Sequence, residues 1–171
     1  TRLIFAAVQI AGTVVDFQMG FGVVNVIDPQ TDTQVSVTAQ FHNIVAVLIF
    51  LVVDAHHFIL QAIVESFFII NPAEINFSSL TPEYMLYLFS GTFTTAVKIA
   101  APIMAILFFL SVGLGLVART VPQMNVFIVG FPLQIGVGLL MVGLSLSFFS
   151  VLVQQQMYDL PGKFMGFLRA L

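Results

Sequence analysis

The chain has 171 residues, of which 59% are hydrophobic and only 8% are charged, and its net charge is −3. Soluble domains carry about 25% charged residues, so this composition excludes a soluble enzyme and requires lipid or protein over most of the exterior. The absence of cysteine excludes disulfides and thiolate metal sites, and the lack of a basic run argues against a nucleic-acid partner.

Two long stretches, residues 99–118 and 120–158, carry no charge at all. About 20 mostly apolar residues suffice to cross the hydrocarbon core of a bilayer as a helix. Both stretches are too long and too deep within the chain to be signal peptides. The aromatic residues are almost all Phe, whereas Trp and Tyr often mark the interfaces of lipid-facing proteins. Their scarcity indicates that much of the surface meets other protein.

The first predicted helix covers residues 3–19. Because the chain begins at Thr1 directly on this apolar run, we expect a fragment whose N-terminal part is missing or processed. Residues 20–38 follow as a different kind of segment, apolar at its start, with a turn signal at Asp28-Pro29 and mostly polar residues after it. This pattern predicts a long loop, which at membrane depth must be buried in protein or line a wet cavity.

The second predicted helix covers residues 41–70 and ends before Pro72, because the residue before a proline disfavours helical geometry. The third covers residues 82–117, and Pro102 predicts a bend or an interruption within it. The connections between these helices are short. We therefore expect helices that are neighbours in sequence to pack as antiparallel neighbours.

The fourth predicted helix covers residues 125–153 and is glycine-rich. An interruption is predicted near residues 130–132, where a glycine and a proline lie close together. The last segment, residues 154–171, mixes apolar residues with a few charges, a pattern typical of a helix lying at a membrane interface.

Four segments carry distinctive motifs, namely ARTVPQMNVFIVGFPLQIGVG at residues 118–138, FQMGFGVVNVIDPQTDTQVSV at 17–37, DAHHFILQAIVESF at 54–67 and KIAAPI at 98–103. Together they resemble the FliR family of bacterial type III protein-export subunits, and the first is similar to the family signature. They occur in family order and spacing and cover essentially the whole chain, and we expect the front hydrophobic hairpin of the family to be missing from this fragment. The loop and hairpin sequences favour a flagellar member over an injectisome member.

The resemblance implies an all-α, membrane-associated fold of long kinked helices in helical hairpins, with FliP-like and FliQ-like parts. Residues 1–171 would form a single export-gate domain, with residues 121–153 in the FliQ-like hairpin. The implied partners are FliP-type and FliQ-type subunits in a hetero-oligomeric ring, FlhB, the membrane, and unfolded polypeptides that pass through the ring. The implied location is the bacterial inner membrane, within the flagellar basal body.

The resemblance also implies that residues 20–38 form a loop that helps to plug the closed pore. An apolar, dewetted constriction excludes hydrated ions, and glycines would let the loop yield to a passing chain. The alternative is an ordered loop between subunits that does not move. The plug residues predicted from the sequence are Met19, Gly20, Phe21, Gly22, Val23, Val24, Val26, Ile27, Asp28 and Pro29.

Four ionisable residues lie within predicted apolar helices, namely Asp54, His56, His57 and Lys98. Such groups are costly in membranes and often functional, so they are candidates for a structural or a proton-responsive role. A shared metal ion is not predicted, because His56 and His57 would point about 100° apart on a continuous helix. Hydrogen bonding between subunits is the favoured interpretation. Lys98 is expected to pair with Asp54 or Glu65, or to extend to the interface.

The predicted turn before the fourth helix is either a plain helix-hairpin turn, which the pattern favours, or a docking tip for a partner. The candidate residues for the hairpin and for subunit packing are Pro122, Gln123, Asn125, Gly130 and Pro132.

A second functional hypothesis is a small-solute or ion secondary transporter that uses Asp54, His57 and Lys98 within the membrane. Transporters of this kind show internal repeats and paired broken helices, and no repeat is visible in this sequence. The sequence contains no nucleophile–base constellation and no phosphate-binding glycine loop, so an enzyme is not predicted. No metal ion and no organic cofactor is predicted either.

Overall fold

The computed structural model describes residues 1–21, 36–69, 80–121 and 126–170. These residues form α-helices, and no strand occurs among them, which confirms the all-α class. The helices in the described ranges are α1 (Arg2–Met19), α2 (Val37–Val52), α3 (Ala55–Ile69), α4 (Leu80–Thr120), α5 (Val126–Tyr158) and α6 (Leu160–Ala170).

Helix α1 lies at the centre of the packing, in contact with α2, α4 and α5. Its buried face repeats every three or four residues, as expected for one side of a helix, and consists of Ile4, Ala7, Val8, Ala11, Gly12, Val15, Asp16 and Met19. Small residues on this face let neighbouring backbones approach closely. At Gly12 the approach is so close that a Cβ atom would overlap the backbone of Ala39 at the start of α2.

The hydrophobic core extends from α1 onto one face of α4 and one face of α5. Helix α4 contributes the buried residues Ile99, Ile103 and Leu107, and α5 contributes Phe149, Val153 and Met157. Among the described residues, α2 and α3 pack chiefly on α1, α5 and α6 and not along α4. The expectation that helices consecutive in sequence are neighbours is therefore right for α4 and α5 and wrong for the second and third predicted helices, because α1 occupies the place beside α4.

The second predicted helix is in fact two helices, and this corrects the sequence analysis. Helices α2 and α3 meet at a bend of 66°. The break lies at Asp54, which has a left-handed backbone conformation with φ of 55°. Aspartate tolerates this conformation better than most side chains, so a single residue can redirect the chain. The residues on both sides of the break are mostly apolar and typical of a helix, so the sequence pattern did not reveal the break.

Helix α2 also begins earlier than predicted, at Val37, so the last residues assigned to the loop are helical. The cause is Ser36, whose hydroxyl accepts a hydrogen bond from the N–H of Ala39 at 3.1 Å. A serine in this position satisfies one of the free N–H groups of a helix N-terminus.

Helix α4 runs through Pro102, and α5 runs through Pro132, without interruption. The predicted interruption near residues 130–132 is wrong, and so is an interruption at Pro102; a bend at Pro102 stays a prediction. One missing hydrogen bond is a small loss in helices of 41 and 33 residues, whose many other bonds form cooperatively. Helix α5 likewise continues to Tyr158, so residues 154–158 belong to it, and α6 follows as a separate helix.

Among the described residues, three stretches are long and apolar enough to cross a membrane, namely Arg2–Met19, Pro82–Thr120 and Ile128–Phe167. A fourth is added if the bent α2–α3 pair counts as one broken span. The described part of the chain leaves the outer faces of α4 and α5 uncovered, with large apolar side chains such as Phe109 and Leu144 about 70% exposed. Lipid or neighbouring protein has to cover them.

We expect Gly12→Ala to lower the free energy of unfolding by about 1–3 kcal/mol, because the added methyl group would overlap the backbone of Ala39, which cannot move aside as a side chain can. The matched control is Gly143→Ala on α5, where a Cβ would enter open space. Because alanine favours a helix more than glycine does, the control should be neutral or stabilising by about 0.5–1 kcal/mol. Thermal unfolding of the subunit within its assembled complex, extracted in mild detergent together with the accompanying subunits, measures both, and equal effects would contradict the close α1–α2 contact.

We expect the chain alone in detergent to lack a cooperative thermal transition, because the exposed apolar faces of α4 and α5 have no protein neighbour there. Circular dichroism during heating of the isolated chain tests this expectation. A well-folded monomer with full helicity and a sharp transition would show that lipid-like contacts suffice.

Candidate functional site

The two ends of the predicted plug loop are joined by Asp16, which lies in the last turn of α1 and is 5% exposed. The hydroxyl of Ser36 donates a hydrogen bond of 2.6 Å to Oδ2 of Asp16. The backbone N–H of Thr38 donates to the same carboxylate, at 3.1 Å from Oδ2 and 3.3 Å from Oδ1. Hydrogen bonds to a charged group are among the stronger ones in proteins, so this junction fixes where the loop leaves and re-enters the helices. We call Asp16, Met19, Gly20, Ser36 and Thr38 the loop neck.

Local sequence explains why the chain turns at the loop neck. Gly20 follows the last residue of α1 with φ of 89°, a left-handed conformation that glycine adopts without strain. The N–H groups of Gly20 and Phe21 then bond the carbonyl oxygens of Phe17 and Asp16, at 3.2 and 3.1 Å. These bonds close the helix end, and the chain leaves α1 in a defined direction.

Helix α5 supports the loop neck from the side. The fully buried Met19 lies against Gly138, and its sulfur accepts a weak hydrogen bond of 3.9 Å from the hydroxyl of Thr38. Gly20 faces the ring of Phe131, which a Cβ atom at Gly20 would overlap. Two glycines thus let α1 and α5 meet at the base of the loop.

His42, one turn into α2, extends the polar cluster into the core. Its ring is 2% exposed, and its Nδ1 lies 2.8 Å from the carbonyl oxygen of Thr38. A carbonyl can only accept, so Nδ1 carries the proton and Nε2 is an acceptor, for which the described part of the chain offers no partner. The ring packs edge-on against Phe149 with centroids 4.8 Å apart. This packing fixes α2 against α5.

Sequence analysis did not single out Asp16, Ser36 or His42. A signal was present in Asp16, which is an acidic residue in the last turn of an apolar helix, where the helix dipole disfavours negative charge. Such a residue needs a specific partner. The sequence did not reveal which residue that was, since Ser36 lies 20 positions away.

Of the predicted plug residues, Met19, Gly20 and Phe21 are described, and all three lie at or beside the loop neck. Phe21 is half-buried and packs against the hydrophobic core. The remaining predicted residues lie outside the described part of the chain: Gly22, Val23, Val24, Val26, Ile27, Asp28 and Pro29. The pore-closing role therefore stays a prediction.

Asp54, His56 and His57 come together at the break between α2 and α3. Oδ1 of Asp54 lies 3.8 Å from Nε2 of His56 and 3.7 Å from Nδ1 of His57. The two imidazole rings lie 4.3 Å apart. The prediction that His56 and His57 would point too far apart to face one group is wrong, because their rings lie side by side and both are close to Oδ1 of Asp54, whose left-handed backbone begins α3.

Lys98 lies elsewhere, on a cavity of about 640 Å³ between α1, α4, α5 and α6. Neither Asp54 nor Glu65 lines this cavity, and no ion pair of Lys98 occurs among the described residues. Glu65 accepts a hydrogen bond from Gln61 at 3.0 Å instead. Pairing of Lys98 with Asp54 or Glu65 is therefore wrong, whereas its extension to the interface stays a prediction. The three residues of the transporter hypothesis do not form one site among the described residues.

Of the residues predicted for the hairpin and for subunit packing, only Gly130 and Pro132 belong to the described part of the chain. Pro122, Gln123 and Asn125 lie outside the described residues, whereas Gly130 is buried and Pro132 exposed within α5. The two long helices of the hairpin are joined by a hydrogen bond of 3.1 Å from Nε2 of Gln134 to the hydroxyl of Ser111.

These features define an all-α protein with membrane-type helices, built around one central helix whose end is hydrogen-bonded to the start of α2 at the loop neck. The sequence profile of the bacterial export proteins, family 1, matches residues 1–160. The chain belongs to this family, and the resemblance noted from its motifs is confirmed.

Several relatives carry the name flagellar biosynthetic protein FliR. The relative from Bacillus subtilis is 44% identical over 156 residues, which cover 89% of this chain and 60% of the relative. The relative from Aquifex aeolicus is 34% identical, with coverage of 99% and 65%, and that from Escherichia coli is 31% identical, with coverage of 79% and 52%. The chain thus spans about three fifths of the length of these relatives.

We expect Asp16→Ala to destabilise the loop neck, because it removes the acceptor of the half-buried Ser36 hydroxyl and of the buried Thr38 N–H, and a buried donor left unsatisfied costs about 1–3 kcal/mol. Hydrogen exchange should accelerate at the amide of Thr38, which bonds the lost carboxylate. The amide of Phe21 bonds the backbone carbonyl of residue 16 and serves as an internal reference.

A matched control for this variant is Gln61→Ala, which removes an exposed hydrogen bond worth about 0.2–0.5 kcal/mol on the surface of α3. The control should leave the Thr38 amide unchanged. Equal exchange of that amide in wild type and Asp16→Ala would contradict the role of the carboxylate.

Proposed function

We propose that this chain is a core subunit of the flagellar type III protein-export gate, where it helps to build and to close the channel through which unfolded flagellar subunits are exported. The observation that carries the proposal is membership of the export-protein family across residues 1–160. The flagellar assignment follows from relatives named flagellar biosynthetic proteins. Catalysis forms no part of this function.

The proposed partners are FliP-type and FliQ-type subunits, together with FlhB, in a hetero-oligomeric ring in the bacterial inner membrane at the flagellar basal body. The uncovered outer faces of α4 and α5 support this proposal, since they present a row of large apolar side chains to the outside of the chain. Residues 121–153 would form the FliQ-like hairpin region of a single export-gate domain covering residues 1–171. A subunit in a ring uses such faces to contact its neighbours on both sides.

In this proposal, residues 20–38 close the pore at rest. Moving one charge across a membrane potential releases about 2.3 kcal/mol per 100 mV, so a resting protein channel needs a seal against ions. The apolar half of the loop sequence, from Val23 to Ile27, suits such a seal. The loop neck supports the role, because Asp16 hydrogen-bonds the residues with which the chain re-enters the helices and so anchors that end of the segment to α1.

The experiment is a pair of matched substitutions in the loop of the full-length protein, assembled in cells. In the first variant Val23, Val24, Val26 and Ile27 become Ser, and in the second the polar residues Gln30, Thr31, Asp32 and Thr33 become Ser. The measurements are the resting ion leak of the membrane, secretion of flagellar proteins and co-purification of partner subunits. We expect the first variant to raise the leak several-fold with assembly intact, and the second to match wild type.

Deletion of residues 23–33 should raise the leak at least as far as the first variant. Wild-type leak in the assembled deletion variant would contradict the plug and leave a purely structural loop. Normal flagellar secretion from cells that lack the whole subunit would contradict the export-gate function itself, so the two failures are distinguishable.

A further inference from the structure

The break between α2 and α3 brings three metal-ligating side chains to one point. One ligand atom each from Asp54, His56 and His57 lie within 4.8 Å of one another. In a tetrahedral zinc site, ligands at about 2.0–2.1 Å from the ion are about 3.3 Å apart. The carboxylate–imidazole distances of 3.8 and 3.7 Å are within a small side-chain adjustment of that geometry.

Helix capping does not explain the position of the Asp54 carboxylate. An aspartate before a helix usually accepts hydrogen bonds from the N–H groups of the first turn. Here the N–H of His57 bonds the backbone carbonyl of Asp54 at 2.9 Å, and in the described part of the chain no hydrogen bond from a first-turn N–H to the side chain of Asp54 occurs. The carboxylate faces the two imidazole rings instead.

Within the described residues, the ring nitrogens of the two imidazoles have no polar partner other than Asp54, although the His56 ring also packs against Phe50 at 6.3 Å between centroids. Nδ1 of His56 is buried and has no hydrogen-bond partner there. The side chain of His57 is 68% exposed, and its described polar contact is the one with Asp54. Both rings can therefore turn about their side-chain torsions without breaking a hydrogen bond in this part of the structure.

We propose that Asp54, His56 and His57 form a binding site for one divalent transition-metal ion of the zinc or cobalt type. Imidazole nitrogen with one carboxylate oxygen suits such ions, whereas Mg²⁺ and Ca²⁺ prefer oxygen ligands alone. The exposure of Asp54 and His57 leaves room for water as a further ligand. The site goes beyond the proposed export function and does not depend on it.

A bound ion would restrain the bend between α2 and α3. All three ligands lie within one turn of the left-handed residue, so coordination would hold Asp54 and the start of α3 in a single arrangement. Metal binding that exists only in the folded arrangement stabilises that arrangement by mass action. The angle between α2 and α3 would then be more tightly fixed with the ion than without it.

The test uses the full-length protein without a polyhistidine tag, purified in mild detergent with whatever subunits accompany it. Cobalt is the probe, because its visible absorption reports coordination directly, and zinc is then used to displace it. The variants are His57→Gln, Asp54→Asn and the triple variant Asp54→Asn/His56→Gln/His57→Gln. Asparagine suits position 54 because it also tolerates the left-handed backbone, so the bend can form without the carboxylate.

Two features of the chain serve as controls. Glu65→Gln removes a carboxylate from the same helix outside the cluster. His42, the buried histidine of α2, is unchanged in every variant, so cobalt bound at His42 would remain bound in the triple variant. Unchanged co-purification of the accompanying subunits shows that a variant is folded and assembled.

We expect one cobalt ion per chain in wild type and in Glu65→Gln, with affinity at least about tenfold weaker in each single variant and lost in the triple variant. Cobalt bound equally by the folded triple variant would overturn the proposal, because the ion would then lie elsewhere. Absence of stoichiometric cobalt and zinc binding by the wild-type protein would overturn it as well.

Discussion

The structure depends first on the burial of one carboxylate. Asp16 lies on the face of α1 that packs in the core, and an unpaired charge there would be strongly unfavourable. It is satisfied by the hydroxyl of Ser36 and the N–H of Thr38, which are the two groups that also begin α2. Since few other arrangements satisfy the carboxylate, the start of α2 is held in one register on α1.

That register determines the packing around it. With Ser36 and Thr38 held at the end of α1, Ala39 lies against Gly12, and the two helix backbones touch where no side chain intervenes. His42 then reaches Phe149 of α5, and Met19 reaches Gly138 of the same helix. The junction at Asp16 therefore orients α1, α2 and α5 relative to one another. The apolar contacts supply most of the buried surface, but they are non-directional and do not determine the register.

The two polar clusters of this chain illustrate different uses of charge in an apolar fold. At Asp16 the carboxylate is buried and bonded, so it specifies structure. At Asp54 the carboxylate is 67% exposed, and its nearest polar neighbours are imidazoles at a distance longer than a hydrogen bond. The Asp16 carboxylate is hydrogen-bonded by Ser36 and Thr38, whereas the Asp54 carboxylate forms no hydrogen bond with the described residues and can coordinate a ligand from solution.

The sequence by itself determined the class of the protein and most of its elements. Lack of charge and long apolar runs require helices in lipid or protein, because backbone groups there must be bonded within the segment. Family motifs in the correct order then indicated export, and the family match confirms that membership. The predicted end of the first helix at residue 19 is also correct, and Gly20 ends it there with a left-handed geometry that is a local property of glycine.

Only the tertiary structure decided the rest. Interruptions were predicted at Pro102 and Pro132, but cooperative hydrogen bonding lets both helices continue there. No interruption was predicted at Asp54, where one left-handed residue separates α2 from α3. The partner of Asp16, the central place of α1 and the position of Lys98 away from Asp54 were likewise hidden. Each depends on contacts between residues far apart in sequence, and local pattern carries no information about which distant group will satisfy a buried charge.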